Sequence, residues 1–144
     1  MLPSHQRASA LNNKGFQIKS FWEGDEAICE WPPQKHHMAA EGVLCGGVVS
    51  TIIDCHCLNT AIVAVYKNEG LEIGTKPFIP YITKTLQVNL LIPISTASLV
   101  ALREKIKEMR EKKTIVACSV FSNSIESATF EIIAIRVPEA FWVK

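Results

Sequence analysis

The longest apolar stretch of the chain covers residues 46–66, GGVVSTIIDCHCLNTAIVAVY. At 3.6 residues per turn it makes about six helical turns. Lys67-Asn68-Glu69-Gly70 follows and supplies a basic last turn with a glycine stop. The length alone would cross a bilayer. Asp54, His56 and Asn59 sit in its middle, however, where ionisable and amide groups are costly in hydrocarbon. No second apolar span pairs with them, so the pattern predicts a helix buried on most sides within a protein, and no membrane as partner.

Strand-like patterns surround this helix. Before it, residues 15–22 and 27–31 are short apolar runs separated by the turn-prone Glu23-Gly24-Asp25. Pro32-Pro33 ends pairing there, because neither residue donates a ladder hydrogen bond. Residues 34–45 read as a loop rich in His and small side chains. After the helix, residues 81–92 alternate Ile82, Lys84, Leu86, Val88 and Leu90 against Thr83, Thr85, Gln87 and Asn89 until Pro93. Residues 114–121 and 128–137 are two further strands with a polar turn between them. Residues 99–113 are ambiguous: Leu102, Ile106 and Met109 have helical spacing, and Glu104 and Glu108 sit among basic residues as on a solvated helix face. A buried helix amid antiparallel strands predicts an α+β domain in which a sheet wraps the helix.

Composition narrows the partners. The chain has 144 residues, enough for a single domain with a real core, and no repeat or linker divides it. With 15 basic and 14 acidic residues the formal charge is +1, which asks for no nucleic acid. Residues 1–10 contain no apolar core of an export signal, and five cysteines is an odd count. Reduced thiols and a cytoplasmic location are therefore expected.

Candidate chemistry concentrates in residues 41–54, EGVLCGGVVSTIID. Gly46 and Gly47 leave the first helical turn uncrowded, so an acyl group can approach its free backbone N–H groups. Those groups and the helix dipole favour the oxyanion that forms from a thioester carbonyl. Asp54 lies two turns on, in an otherwise apolar helix, where a carboxylate is retained for a partner or a task.

This stretch resembles the hotdog-fold thioesterases of the 4-hydroxybenzoyl-CoA and phenylacetyl-CoA thioesterase superfamily. Their signature is His-Gly-Gly followed by an Asp or Glu on the central helix, and Cys45-Gly46-Gly47 with Asp54 falls in that pattern. Residues 78–95, FIPYITKTLQVNLLIPIS, resemble the family's strand that ends in a Pro-containing bend, and residues 132–138 resemble its final strand. The resemblance covers roughly residues 15–138 and leaves residues 1–14 as an N-terminal extension.

The resemblance implies a hotdog fold, an antiparallel sheet wrapped around a long central helix, with a strand and a tight turn near residues 110–113 in place of the locally suggested helix. It implies hydrolysis of an acyl-CoA thioester. Gly46 would polarise the carbonyl through its N–H, with Gly47 beside it at the substrate. Asp54 would act as nucleophile or general base, and Thr83 would help to hold the attacking water. Glycine and carboxylate of one site usually come from different protomers, so a homodimer or homotetramer is implied. No metal or redox cofactor is implied, coenzyme A entering as part of the substrate. The sequence departs at two points: Cys45 replaces the family His, and Ala39 stands where an Asn is often found. A neighbouring branch of the family also lacks that His and carries a Cys-His pair after the Asp, as Cys55-His56 does here.

Other readings of the same residues are weaker. On a helix Cys55 and Cys57 point to nearly opposite faces and cannot share one ion, which argues against a metal among the His and Cys residues. Cys45 before the helix start could be a nucleophile with His36 or His37 as base, but nothing in the sequence fixes that geometry. The basic run 103–113 is a solvated face that could touch the phosphates of coenzyme A. An acyl-CoA-binding module without efficient turnover is the main alternative function, and the missing His and Asn motivate it. Hydration or dehydration of an enoyl thioester ranks last, because His56 faces away from Asp54 on the helix.

Overall fold

The structure, a computed structural model, describes residues 20–72, 80–138 and 140. The N-terminal extension, the start of the first expected strand and the first residues of the 78–95 segment lie outside that range. Strands β1 (Ser20–Glu23) and β2 (Glu26–Trp31) form a hairpin, and β3 (Met38–Ala40) and β4 (Val43–Leu44) form a second, smaller one. Helix α1 spans Gly46–Asn68. Strands β5 (Tyr81–Leu90), β6 (Val100–Met109), β7 (Lys113–Ser122) and β8 (Ile125–Arg136) follow. Six of the strands make one antiparallel sheet in the order β1-β2-β6-β7-β8-β5, and α1 packs across one face of it against β5, β6, β7 and β8.

Local chemistry sets the ends of the elements. Gly24, with φ of 62°, turns β1 into β2 in a two-residue loop, as a glycine at the first central position allows. At the end of α1, Gly70 adopts a φ of 68°. Its N–H reaches the Lys67 carbonyl at 3.2 Å, and the Leu71 N–H reaches the Tyr66 carbonyl at 2.9 Å. These paired bonds satisfy the last orphan carbonyls of the helix. The glycine stop expected from the sequence is therefore in place.

Alternation along the strands builds the core. Thr114, Val116, Cys118, Val120 and Ser122 are all buried, with partly exposed residues between them, so β7 presents one face to α1. That face meets Ile52, Ile53, Ala61 and Tyr66 of the helix, none more than 2% exposed. A helix that contacts sheet along most of its length reads as apolar nearly all round. By length and hydropathy α1 would pass for a membrane span, yet 67% of its most apolar window is buried inside the fold.

Residues 100–109 form the strand that the resemblance implied in place of the locally suggested helix, and Arg110 N–H bonds the Lys113 carbonyl at 2.7 Å in the tight turn after it. The helical spacing of Leu102, Ile106 and Met109 arises because Lys107 bulges out of the ladder, which moves the inward positions from even to odd numbers. Glu104 does not lie on a solvated face; it is 0% exposed, in the inward row with Val100 and Leu102. The stretch expected to be loop before α1 also holds a 3-10 turn, Lys35–His37, and the β3–β4 hairpin.

Candidate active site

The start of α1 is fixed from outside the helix. Leu44 N–H bonds the Ile94 carbonyl at 2.8 Å, Cys45 N–H bonds the His37 carbonyl at 2.8 Å, and Thr96 N–H bonds the Gly42 carbonyl at 3.1 Å. His37 is itself buried against Trp31, with ring centroids 4.9 Å apart, and its Nδ1 accepts the Gln34 N–H at 2.9 Å. Burial, and then the neighbouring His36, hold the His37 pKa below its ordinary value, which favours a neutral anchor. The helix N-terminus is thus bonded to the segment before it and to the chain just past β5.

Cys45 occupies the N-cap with extended backbone, and its side chain makes no capping bond. The Cys45 carbonyl accepts the first helical bond, from Val49 N–H at 3.1 Å. Among the described residues, the N–H groups of Gly46, Gly47 and Val48 have no partner, and no acidic side chain lies in the first turn. These donors, with the dipole behind them, form a site for developing negative charge. A Cβ placed on Gly47 would meet only Cys45 Sγ, at 3.8 Å. One placed on Gly46 would come within 3.1 Å of Leu90 Cδ1. Beside Gly46 opens an apolar groove of about 300 Å³, lined by Val49, Leu90, Leu91 and Ile92 among others.

Asp54 is partly exposed on the side of α1 that faces β5, and the Thr83 hydroxyl donates to its Oδ1. This contact depends on an irregularity in β5. Thr83 pairs with Ala134 and Thr85 with Ile133, so Lys84 is an extra residue with no opposite number. Before the bulge the odd positions Tyr81 and Thr83 face the helix, and after it Val88 packs on the core and Leu90 lies over Gly46. The regular alternation expected over residues 82–90 therefore breaks, and that break turns Thr83 toward Asp54.

Of the residues singled out in the sequence, the fold brings Asp54 and Thr83 together and places Gly46 and Gly47 at the open helix start. It does not bring Gly46 to Asp54 within one chain. Eight residues of α-helix separate them by about 12 Å along the axis. His56 points away from Asp54 and is 0% exposed. Its Nδ1 lies 2.7 Å from Ser20 Oγ, and its Nε2 lies 3.5 Å from Glu104 Oε2. Burial lowers the His56 pKa to about 4, a backbone contact with Ala27 opposing, and burial raises that of Glu104 to about 8, against hydrogen bonds from Cys57 and Thr60. The basic side chains of residues 103–107 lie on the outer face in exposed ion pairs with Glu26 and Glu131.

Glu104 is the residue that sequence reasoning misplaced. Its signal was the period-two row Val100, Leu102, Glu104, Ile106, which puts a carboxyl in line with three apolar side chains.

No family model matches the chain, and no curated protein matches its sequence. Solved structures do match its fold. A thioesterase superfamily protein from Shewanella loihica is 27% identical, with 85% of this chain and 93% of that chain covered and a TM-score of 0.67. A thioesterase from Haemophilus influenzae is 12% identical over 85% of this chain and 79% of that one, with a TM-score of 0.69. An uncharacterized protein from Pyrococcus horikoshii is 18% identical over 96% and 97% of the two chains, with a TM-score of 0.67. One long helix laid on a six-stranded antiparallel sheet makes this chain a hotdog-fold domain, and its structural neighbours include thioesterase superfamily proteins.

Proposed function

We propose that the protein hydrolyses acyl-CoA thioesters in the cytoplasm, as a homodimer or a larger homo-oligomer. The observation that carries this reading is the pairing of an uncapped helix start at Gly46-Gly47 with a carboxylate that a strand hydroxyl holds, Asp54 with Thr83. The thioester carbonyl rests against the N–H of Gly46, Gly47 lets the substrate approach, and the acyl chain lies in the apolar groove at Leu90. Water attacks the carbonyl carbon while Asp54 takes its proton, and the thiolate of coenzyme A leaves as the tetrahedral oxyanion collapses. Direct attack by Asp54, with hydrolysis of the resulting anhydride, uses the same groups. Neither route requires a metal or a redox cofactor.

The 12 Å or so between Gly46 and Asp54 supports a site built from two copies, because both must lie within about 3 Å of one reacting carbonyl. Among the described residues β5 is an edge strand, and its outer edge with the exposed Leu86 and Leu90 on its helix-facing side supplies a surface for that second copy. Five free cysteines suit a reducing compartment.

A non-hydrolytic acyl-CoA-binding module is the second reading, favoured by Cys45, whose side chain offers the helix start no capping bond where the resembling family carries His. One experiment separates the two. Free coenzyme A is quantified chromatographically from short, medium, long and aromatic acyl-CoAs, with wild type and Asp54→Asn side by side. Turnover that collapses in Asp54→Asn establishes the hydrolase. Wild type that binds acyl-CoA without releasing coenzyme A establishes the binding module instead.

A further inference from the structure

On the side of α1 turned away from Asp54, the core contains polar groups that the hydrolytic site does not use. Cys57, Glu104 and His56 are 0% exposed and Cys118 is 3% exposed. They come from three packed elements: α1, β6 and β7. Cys57 Sγ, Cys118 Sγ and a Glu104 oxygen all lie within 4.8 Å of one another. The Cys57 thiol donates to Glu104 Oε1 at 3.0 Å, and the Thr60 hydroxyl donates to Oε2 at 2.5 Å. The His56 ring lies 2.7 Å from Ser20 Oγ at Nδ1, which leaves Nε2 directed at Glu104. That Nε2 makes no hydrogen bond among the described residues.

We propose that Cys57, Cys118 and Glu104 bind one divalent ion of the zinc type inside the core. His56 Nε2, 3.5 Å from Glu104 Oε2 but outside the group whose ligand atoms all lie within 4.8 Å of one another, is the nearest further nitrogen donor and completes the set only by moving toward the ion. Two sulfurs, an imidazole nitrogen and a carboxylate oxygen are a donor set that suits tetrahedral zinc. Zinc bonds of about 2.0–2.3 Å put neighbouring ligand atoms roughly 3.3–3.8 Å apart. Cys57 Sγ lies 3.0 Å from Glu104 Oε1, Cys118 Sγ lies under 4.8 Å from Cys57 Sγ and a Glu104 oxygen, and His56 Nε2 lies 3.5 Å from the other carboxylate oxygen, Oε2. Burying a carboxyl, two thiols and an imidazole together is expensive, and a dication offsets that cost for all four at once. Cys55, by contrast, points elsewhere on the helix. The partner of Cys57 is Cys118, 61 positions along the chain by residue number, which no short sequence motif reveals.

Because the site is enclosed, the ion enters as the chain folds. The full chain, with any purification tag removed, is isolated from zinc-supplemented cells without chelator and analysed by elemental mass spectrometry. Cys118→Ser, Glu104→Gln and Cys45→Ser are treated alike, and far-UV circular dichroism establishes that each is folded. Each is then unfolded, stripped of metal and refolded anaerobically with Co2+. The expected result is about one zinc per chain in wild type and in Cys45→Ser, with most of it lost from Cys118→Ser and Glu104→Gln. Cobalt-refolded wild type shows the intense visible bands of tetrahedral cobalt and a thiolate charge-transfer band, the latter weakened in Cys118→Ser. Folded wild type with little zinc and no cobalt bands overturns the proposal and leaves a hydrogen-bonded polar cluster. Bands that survive in Cys118→Ser but vanish in Cys45→Ser also overturn it, by tracing the metal to the thiol at the helix start. A Cys57–Cys118 disulfide in the purified wild type would do the same. None of these readouts depends on thioester hydrolysis.

Discussion

The hydroxyl of Thr83 meets the carboxylate of Asp54 because Lys84, the next residue of β5, has no partner on β8. If that contact orients the carboxylate and its water, Thr83→Val lowers kcat about 10–100-fold and changes KM little, whereas Thr83→Ser keeps most of the rate. Steady-state release of free coenzyme A measures both. An unchanged kcat in Thr83→Val would remove Thr83 from the reaction.

Gly46 tests the other half of the site. A methyl group there stands 3.1 Å from Leu90 Cδ1, the flexible end of a side chain that can give way, so the fold tolerates it. The space over the helix start does not remain open. Gly46→Ala is therefore expected to change unfolding free energy by less than about 0.5 kcal/mol and to cut kcat/KM about tenfold or more. Adding Leu90→Ala restores part of the loss. Full activity in Gly46→Ala would place the carbonyl elsewhere.

The buried pair Glu104 and His56 makes stability depend on pH. Burial raises the Glu104 carboxyl from 4.5 to about 8, so its contribution is complete below pH 4.5 and is lost as pH climbs through 8. Burial lowers His56 from 6.5 to about 4, so its contribution is complete above pH 6.5 and is lost as pH falls through 4. The metal-free protein should be most stable on a plateau between pH 4.5 and 6.5. Between pH 6.5 and 8 it should lose on the order of 2 kcal/mol. Urea midpoints in the presence of a chelator measure this, and Glu104→Gln flattens the alkaline limb. An alkaline limb equally steep in Glu104→Gln would assign the effect to another group.

The turn between β7 and β8 offers a gain in stability. Asn123 and Ser124 both have positive φ, 52° and 64°, the backbone of a two-residue hairpin turn of the primed type. Serine pays a steric cost there that glycine does not. Ser124→Gly is expected to raise unfolding free energy by roughly 0.5–1 kcal/mol, read from denaturant midpoints, with no change in turnover. A lower midpoint would show that the lost chain entropy outweighs the relieved strain.

Local signals in the sequence reach as far as local forces do. The glycine stop at Gly70 and the turn at Gly24 were legible because backbone conformation there depends on the residue itself. The helix start at Gly46 and the carboxylate two turns later were legible for the same reason. What escaped depended on distant partners. Residues 99–113 were ambiguous by local pattern, and only the resemblance pointed to a strand, because the bulge at Lys107 produces helical spacing in a strand that its neighbours on β2 and β7 define. The contact of Thr83 with Asp54 was implied only by the resemblance, because the extra residue that turns Thr83 toward the helix is visible only against β8. Glu104 read as solvated, although its environment is made by Cys57 and Thr60, more than forty positions away.

The strand order has a consequence for how the chain comes into being. Strands β6, β7 and β8 are consecutive hairpins that close over short distances, whereas β2 reaches β6 only across the whole helix, as the pair Arg103 and Glu26, 77 positions apart, illustrates. Strands β6 to β8 are the quick part to assemble, and they are synthesised after the helix. At roughly 5–20 residues per second, the ribosome finishes the most apolar segment of the protein several seconds before it has made the strands that cover it. During that interval the nascent helix lacks strands β5 to β8, against which it packs in the finished fold.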